Sequence, residues 1–290
     1  MARSGPAGAG PAGPALATPG PAGAAQAAHL RVGGSRRPVS RVLPEETAVA
    51  MVYDGTTHAV MMASPADLED FAVGFSLTEG IVAAPAQIAG CEIVAQPEGI
   101  EARIWLATDR AEALAARRRT LAGPVGCGLC GIDSLAQATR ALPDLSDRGP
   151  LLAAAELATA TGALRGWQPL HDRTHAVHAA GFMLPGEGIV LAREDVGRHN
   201  ALDKLIGAMA RQGIDAGRGA IVLTSRVSVE MVQKCAMAGC AVLIAVSAPT
   251  LHALRLAEGA GITLAAFARG DGFDLFCHPE RLRAEVPDVA

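Results

Sequence analysis

The chain has 290 residues, of which 50% are apolar and 19% are charged, so it can bury one large core or two modest ones. Its formal net charge of -4 argues against a nucleic-acid binder that relies on many phosphate contacts. Six cysteines are too few for a disulfide-rich secreted domain, so we expect reduced thiols.

The N-terminal residues 1–36 are rich in Ala, Gly and Pro and have no periodicity, which predicts a disordered tail. Their start lacks the compact apolar stretch of a secretory signal, so we expect a cytoplasmic protein. A second segment, 235–254, is uncharged and long enough to cross a bilayer as one helix. Gly239 and the turn at 247–250 divide that segment, which predicts a buried core and no membrane partner.

Residues 37–125 are predicted to form a smaller N-terminal α+β part. The pattern at 47–62 predicts two strands around Asp54 and Gly55, a strong hairpin signal. Ser64 then predicts a helix N-cap, with Pro65 at the first helical position and Gly80 closing the helix. Residues 91–106 alternate enough to be strands, and residues 111–120 predict a short Arg-rich helix.

Residues 126–150 are predicted to be a loop and linker, and residues 151–290 an α/β domain. Helices are predicted around 151–161, 201–211, 229–238 and 250–259, with strands at 188–192, 220–224, 241–246, 262–267 and 273–276. This order predicts a mostly parallel or mixed sheet. Ligands of such sheets bind beyond the carboxyl ends of strands, so we expect a site at loops 193–200, 224–228, 247–250 and 269–272.

The hexapeptide GCGLCG at 126–131 places Cys127 and Cys130 three residues apart in a glycine-rich loop. Arg117, Arg118 and Arg119 shortly before it can lower a thiol pKa by stabilising the thiolate. Three interpretations stay open: half of a zinc site, a dithiol redox pair, and a site in which one cysteine holds a persulfide. Zinc would need further ligands at suitable spacing, and a thioredoxin-like motif would directly follow a strand.

Polar residues crowd the loops at the predicted strand ends. The loop at 193–200 predicts either a capped βα turn or a cradle for an anion. The loops at 224–228 and 247–250 suit either helix caps or phosphate oxygens, and their candidate ligands are Thr224, Ser225, Arg226, Ser247 and Thr250. We predict no metal site, because the nearby histidines lack further ligands at metal-like spacing: His171, His175, His178 and His199.

With these motifs in place, the chain resembles the FdhD family, the formate dehydrogenase accessory sulfurtransferases, from about residue 44 to 276. Seven ordered blocks carry the resemblance: DLEDFAVGFSLTEGIV (67–82), GCGLCG (126–131), HAAGF (178–182), REDVGRHNALDKLIG (193–207), SRVSVEMVQKCAMAG (225–239), VSAPTLHALRLAE (246–258) and ARGDGF (268–273). One departure is visible. The family usually has a Gly-Gly pair shortly before the histidine of HAA, where this chain has His175 and Ala176 after Thr174.

The resemblance implies a sulfurtransferase that takes sulfur from a cysteine desulfurase as a cysteine persulfide. It passes this sulfur to the molybdenum bis-molybdopterin guanine dinucleotide cofactor, on which formate dehydrogenase activity depends. Cys127 would hold the persulfide and Cys130 would assist or resolve it. The cofactor, with GDP as a competing analogue, would bind at Phe267, Ala268, Arg269, Gly270, Asp271 and Gly272. The strand-end candidates above would join them, together with His178, Arg198 and His199.

The same resemblance implies a cytidine deaminase-like layered sheet with helices, lacking the deaminase zinc motif, and a homodimer. The implied protein partners are the cysteine desulfurase and formate dehydrogenase. A hypothesis of a different class also remains: a molybdenum cofactor-binding chaperone whose dithiol is passive or redox-protective.

Overall fold

The computed structural model describes residues 22–30, 32–108, 110 and 141–283. Within these ranges the chain forms three β-sheets, of two, four and six strands, together with helices that pack on the two larger ones. The predicted mixed α/β class is confirmed. The predicted helix at 111–120 and the GCGLCG loop lie outside the described residues.

A two-stranded antiparallel arm opens the described chain. It consists of β1 (Ala22–Leu30) and β2 (Arg36–Pro44), which pair along their whole length from Ala22 opposite Pro44 to Leu30 opposite Arg36. The prediction of a disordered tail over 1–36 therefore does not hold for β1. Composition indicated that this segment has too little apolar surface to bury, but pairing with β2 satisfies its backbone groups instead.

The four-stranded sheet has the order β4-β3-β6-β5 and one helix. Its strands are β3 (Thr47–Tyr53), β4 (Thr56–Ala63), β5 (Ile88–Gln96) and β6 (Gly99–Leu106), and α1 (Leu68–Thr78) packs on it. The predicted hairpin between β3 and β4 is confirmed. Asp54 and Gly55 both have positive φ angles, 48° and 78°, as the tight turns that match strand twist require.

The start of α1 differs from the prediction. The N-cap is Asp67, in a left-handed conformation and without a side-chain capping bond, and the helix begins at Leu68. Ser64, the predicted cap, is drawn into a contact distant in sequence. Its backbone N–H donates to Asp195 Oδ2 at 3.0 Å, and its carbonyl accepts from Lys204 Nζ at 2.8 Å. These tertiary hydrogen bonds hold Ser64 away from the capping position that its local sequence predicts.

The six-stranded sheet has the order β12-β11-β10-β9-β7-β8. Strands β9 (Ala220–Leu223), β10 (Val242–Ala245) and β11 (Thr263–Arg269) run parallel to their neighbours within that group. Strands β7 (His178–Leu184), β8 (Gly188–Asp195) and β12 (Gly272–Cys277) add antiparallel pairs at the two sides. The predicted mixed sheet is thus confirmed, with β7 as a strand that was not predicted.

Five helices belong to this larger sheet: α2 (Ala154–Arg165), α3 (Pro169–Thr174), α4 (Arg198–Arg211), α5 (Val229–Ala238) and α6 (Leu251–Gly259). The central strands alternate between two cores. Ile221 and Leu223 belong to the core that includes residues of α4, α5 and α6, whereas Ala220 and Val222 belong to the core that includes residues of α2. A period of two along a strand places neighbours on opposite faces, so the sheet is covered on both sides.

The uncharged segment at 235–254 is divided as the sequence predicts. Gly239, with φ 78°, ends α5, after which β10 and α6 follow as separate elements. Among the residues that the structure describes, no helix is both long and apolar enough to cross a bilayer.

Helices α1 and α4 join the two larger sheets at a close backbone contact. A Cβ atom added at Gly74 would lie 1.8 Å from the Asp203 carbonyl oxygen, and one added at Gly207 would lie 1.8 Å from the Asp70 carbonyl oxygen. Only glycine fits at such an approach. The FAVG and KLIG sequences are therefore explained by helix packing.

We expect Gly74→Ala to lower the free energy of unfolding by roughly 1–3 kcal/mol, because the new methyl must push two backbones apart. The matched control is Gly162→Ala on α2, where an added Cβ meets nothing within 4 Å. That variant should gain roughly 0.5–1 kcal/mol from better helix propensity. Denaturant unfolding of both proteins measures the two values, and changes of the same sign would contradict the packing argument.

Buried ion pairs lie at the same interface and use both lysines of the chain. Lys204 Nζ lies 2.6 Å from Asp195 Oδ2, and both side chains are fully buried. Lys234 Nζ lies 2.9 Å from Asp203 Oδ2 and 3.0 Å from Glu79 Oε1. The acidic and basic residues of the DLEDFAVGFSLTEG and REDVGRHNALDK blocks thus hold the two sheets together.

Candidate functional site

The predicted thiol pair, Cys127 and Cys130, lies outside the described residues. The remaining cysteines are Cys91, Cys235, Cys240 and Cys277, all of them free thiols. Burial raises the pKa of Cys91, Cys240 and Cys277 to about 11, and it raises the pKa of Cys235 well above the ordinary value. These thiols are therefore protonated at neutral pH and are poor nucleophiles.

The carboxyl edge of the parallel strands brings part of the predicted site together. Thr224 follows β9, and its Oγ1 accepts a hydrogen bond of 2.9 Å from the backbone N–H of Ala179. Because β7 runs antiparallel to β9, its first residue, His178, lies at this same edge. The sequence placed Thr224 correctly at a strand end, and β7 adds His178 beside it.

The loops at 224–228 and 247–250 are joined by backbone hydrogen bonds. Val227 N–H donates to the Ala248 carbonyl at 3.1 Å, and Thr250 N–H donates to the Val227 carbonyl at 3.0 Å. Thr250 Oγ1 accepts from Ala253 N–H at 3.2 Å, so this hydroxyl caps α6 as one of the two interpretations predicts. The remaining candidates of these loops are Ser225, which is buried and bonds the Arg226 carbonyl, the exposed Arg226, and the half-buried Ser247.

The predicted cofactor segment at 267–272 is a hairpin between two strands. Arg269 pairs with Gly272, which leaves the exposed Gly270 and Asp271 as its turn. The hairpin extends beyond the sheet edge, since β10 ends at Ala245 and its last pairing with β11 joins Ile244 to Ala265. Phe267 has φ 52° and is 43% exposed, whereas Ala268 is buried. The Ala268 carbonyl accepts a 2.6 Å hydrogen bond from Thr161 Oγ1, which fixes the hairpin to α2.

Most charged groups of the 193–200 loop serve structural roles. Glu194 is buried and accepts from Leu170 N–H and His171 N–H, each at 2.8 Å, which caps the start of α3. Asp195 Oδ1 accepts from Gly197 N–H at 2.7 Å and from Asn200 Nδ2 at 3.0 Å. The N-cap of α4 is Gly197, which makes no side-chain capping bond, so the capped turn predicted for this loop has no capping side chain at the start of α4.

Two residues of that loop, Arg198 and His199, remain near the strand edge. Burial and the charges of Arg198, His171 and His199 lower the pKa of His178, which favours the neutral imidazole. His199 Nε2 lies 3.9 Å from Glu230 Oε2, and this histidine lowers the pKa of the Glu230 carboxyl to about 2. The edge therefore combines the His178 imidazole, whose neutral form is favoured, with the positive charge of Arg198.

A cleft of about 530 Å³ opens at this edge, between α2, α3 and the ends of β7, β9 and β10. Its lining includes His178 and Thr224 from the predicted set. It also includes polar side chains that the sequence analysis did not select for binding: Thr161, Arg165, Gln168, His171 and His175. Cleft size and mixed polar lining are typical of a small-molecule site. Thr161, Arg165 and Gln168 give no motif signal, because tertiary packing alone brings them to the strand ends.

His175 occupies the position at which the resemblance leads us to expect glycine. It follows α3 with φ 54° and ψ 23°, and its N–H donates to the His171 carbonyl at 2.7 Å. Glycine adopts this left-handed conformation freely, whereas a histidine pays a cost of about 1–2 kcal/mol. The departure thus preserves the backbone turn and adds an imidazole to the mouth of the cleft.

The comparisons with known proteins agree with the resemblance. The sulfur carrier protein FdhD of Agrobacterium fabrum is 54% identical over 242 residues, covering 83% of this chain and 89% of that protein. The protein of the same name from Bordetella petrii is 50% identical over 262 residues, covering 89% of this chain and 94% of its own.

A solved structure matches the fold. The crystal structure of a protein from Desulfotalea psychrophila, assigned as a formate dehydrogenase accessory protein, has a TM-score of 0.71 at 26% identity. The match covers 90% of this chain and 99% of that one. The FdhD/NarQ family model matches residues 44–283. The chain therefore belongs to the FdhD/NarQ family.

Proposed function

We propose that the chain is a sulfurtransferase that carries sulfur as a persulfide on Cys127, from a cysteine desulfurase to the molybdenum bis-molybdopterin guanine dinucleotide cofactor of formate dehydrogenase. The names of the relatives, sulfur carrier proteins, support the sulfur-transfer role. The observation that carries the assignment to a residue is the state of the other thiols. Burial raises the pKa of four of the six cysteines and so disfavours their nucleophilic thiolates, which leaves the GCGLCG pair as the candidate carrier.

The loading step follows thiol exchange chemistry. The Cys127 thiolate attacks the outer sulfur of the desulfurase persulfide, a new S–S bond forms on Cys127, and the desulfurase cysteine leaves as its thiolate. Cys130 would then attack the inner sulfur of the Cys127 persulfide. That step releases the outer sulfur at the sulfide level and leaves a Cys127–Cys130 disulfide, which a thiol reductant must reopen before the next turnover.

Mass spectrometry of the chain after incubation with a cysteine desulfurase and cysteine tests this function. A carrier gains adducts of about 32 Da, one sulfur atom each, on a peptide that contains Cys127. A chain that binds the cofactor and gains no sulfur would instead be a chaperone with a passive or redox-protective dithiol. The protein with both Cys127 and Cys130 replaced by Ala is the matched control, because it retains every cysteine of the described residues.

The cofactor is proposed to bind at the carboxyl edge of the six-stranded sheet, with its phosphates near the 267–272 hairpin. Arg269 is exposed there, next to two glycines that let a phosphate approach the backbone. The predicted ligand set at this edge stays a proposal: His178, Arg198, His199, Thr224, Ser225, Arg226, Ser247, Thr250 and residues 267–272.

Arg269→Ala is expected to weaken the binding of GDP, the analogue that shares the guanosine diphosphate portion of the cofactor. The loss of one charge-assisted phosphate contact, roughly 1.5–3 kcal/mol, corresponds to about 10- to 100-fold in affinity. Titration calorimetry measures this change, and sulfur loading of the variant should equal that of wild type. Arg218→Ala, an exposed change at the opposite edge of the sheet, should leave GDP affinity unaltered. An equal loss in both variants would contradict the assignment.

Three further expectations belong to this proposal. The six-stranded sheet with its helices would represent the cytidine deaminase-like layer, which superposition on a cytidine deaminase would test. The protein would act as a homodimer in the cytoplasm. Light scattering at several protein concentrations measures the mass of the assembly, and a monomer throughout would remove the dimer from the proposal.

A further inference from the structure

The arm formed by β1 and β2 lies outside the hydrophobic cores of the described chain. Its two strands pair over nine residues each, and β2 approaches α3, yet no arm residue belongs to any of the three cores. Val42 and Leu43 are 37% and 48% exposed and, as successive strand residues, lie on opposite faces of the arm. A two-stranded hairpin alone is marginally stable at best in water. A further surface is therefore needed to cover the arm.

The four-stranded sheet has a face that belongs to no core of the described chain. Helix α1 packs on the opposite face. On this outer face, Val60 and Met62 of β4 and Trp105 of β6 are 45%, 40% and 43% exposed. Val60 and Met62 pair with alanines of β3, the strand between β4 and β6, so small side chains leave a shallow trough along β3. The outer face is apolar and open.

The arm and the outer face carry opposite charge. Residues 22–44 include several arginines and no acidic residue. Arg36, Arg37 and Arg41 are exposed on β2, and none of them makes an ion pair with another described residue. Glu92 on the outer face and Glu98 in the turn after β5 are also exposed and unpaired within the described ranges. Each surface thus lacks the charge that the other provides.

The size of the arm is sufficient for a specific interface. Strands of nine residues, at about 3.4 Å per residue and about 4.8 Å apart, make a ribbon roughly 30 Å long and 10 Å wide. Two such arms, each covering an equal area on another copy, would bury about 1,200 Å² in total, which is the lower limit for a standard protein–protein interface.

We propose that two copies of this chain exchange their arms, so that the arm of each copy lies on the outer face of the other. Both surfaces belong to one chain and complement each other in charge and in apolar character, as a twofold interface requires. The exchange is complete with two copies. The inference rests on the homodimer of the proposed function and adds the surface through which the copies meet.

Two charge-reversed variants of the full chain test the contact. The arm-reversed variant carries Arg36→Glu, Arg37→Glu and Arg41→Glu, and the face-reversed variant carries Glu92→Arg and Glu98→Arg. Each variant alone brings like charges together at both contacts, so its dimer dissociation constant should rise at least tenfold. Sedimentation velocity at several protein concentrations measures this constant, and circular dichroism should show a retained fold because the replaced side chains are exposed.

An equimolar mixture of the two variants gives the sharpest result. The acidic arm of the first variant meets the basic face of the second, and the native arm of the second meets the native face of the first. The mixture should therefore regain dimers that contain one copy of each variant, which native mass spectrometry identifies by mass. The matched control is Arg218→Glu with Arg255→Glu, two exposed arginines outside the arm. This control should dimerise as wild type does and should form no dimer with the face-reversed variant.

The apolar part of the contact is tested separately. Val60→Ser combined with Met62→Ser should weaken the dimer roughly tenfold, because less apolar surface is removed from water on association. Leu251→Ser on α6, where the leucine is 64% exposed, should leave the dimer unchanged. These substitutions alter no charge, so they separate the proposed contact from a general effect of net charge.

Three results would overturn the inference: a wild type that stays monomeric, an arm-reversed variant that dimerises as wild type does, or a mixture of the reversed variants that stays monomeric. Sulfur loading of wild type and of the arm-reversed variant is measured in parallel. Arm exchange without sulfur loading would reject the proposed sulfur transfer and leave this inference standing. Sulfur loading by a protein whose dimer does not depend on the arm would do the reverse.

Discussion

Cys127→Ala is expected to abolish both sulfur loading and the activation of formate dehydrogenase. The remaining thiols in the described part of the chain have pKa values raised by burial, to about 11 for three of them. At neutral pH a thiol with that pKa is a thiolate in about one molecule in ten thousand, so none can replace the lost nucleophile. The measurements are adduct mass after desulfurase treatment and formate oxidation by the matured dehydrogenase.

Cys277→Ala is the control for the loss of a thiol as such. Its sulfur loading and its support of formate dehydrogenase should match wild type. Full maturation by Cys127→Ala would reject the persulfide proposal. Cys130→Ala separates the two steps, because it should still load sulfur on Cys127, while full activity of this variant without reductant would show that no resolving thiol is needed.

Lys204→Met is expected to lower the free energy of unfolding by roughly 3–5 kcal/mol, because it leaves a buried carboxylate without its cation. Asp195 would keep the hydrogen bonds from Ser64, Gly197 and Asn200, but its full negative charge would stay buried between the two sheets. Denaturant unfolding at neutral pH measures the loss. Since a typical domain is stable by about 5–15 kcal/mol, the variant should be near its unfolding threshold.

Arg103→Ala gives the scale for an ion pair at the surface. Arg103 and Glu101 lie 2.7 Å apart, and their side chains are 38% and 32% exposed. Such pairs contribute about 0–1 kcal/mol. Comparable losses in Lys204→Met and Arg103→Ala would show that burial adds nothing to the Lys204 pair, contrary to the interpretation of the interface.

The sequence was most informative where local signals coincide with the tertiary structure. The α5 helix was predicted at 229–238 and runs from Val229 to Ala238, because Gly239 provides the left-handed residue that ends it. Strands β9 and β10 are short apolar runs whose alternate residues fill two cores, which a sequence pattern detects well. Thr224 was placed at a strand end because it directly follows such a run.

The failures have one physical origin, contacts between residues distant in sequence. Ser64 has the local pattern of a helix cap, but Asp195 and Lys204 bind its backbone and shift the helix start to Leu68. Strand β1 has little to bury and is held by its pairing with β2. Gln168 carries no motif, and only the packing of α2 and α3 against the sheet brings it into the lining of the cleft.

The burial of Lys204 and Lys234 also determines how the folded chain reacts with reagents that modify lysine amino groups. These are the two lysines of the sequence, their side chains are 0% and 6% exposed, and each is held by a carboxylate. Acylating reagents and amine crosslinkers, which require a free and accessible amino group, find no lysine on the folded surface. Acetylation of either lysine would instead show that α1 and α4 had separated. The two lysines therefore allow a chemical test of whether the two sheets are packed together.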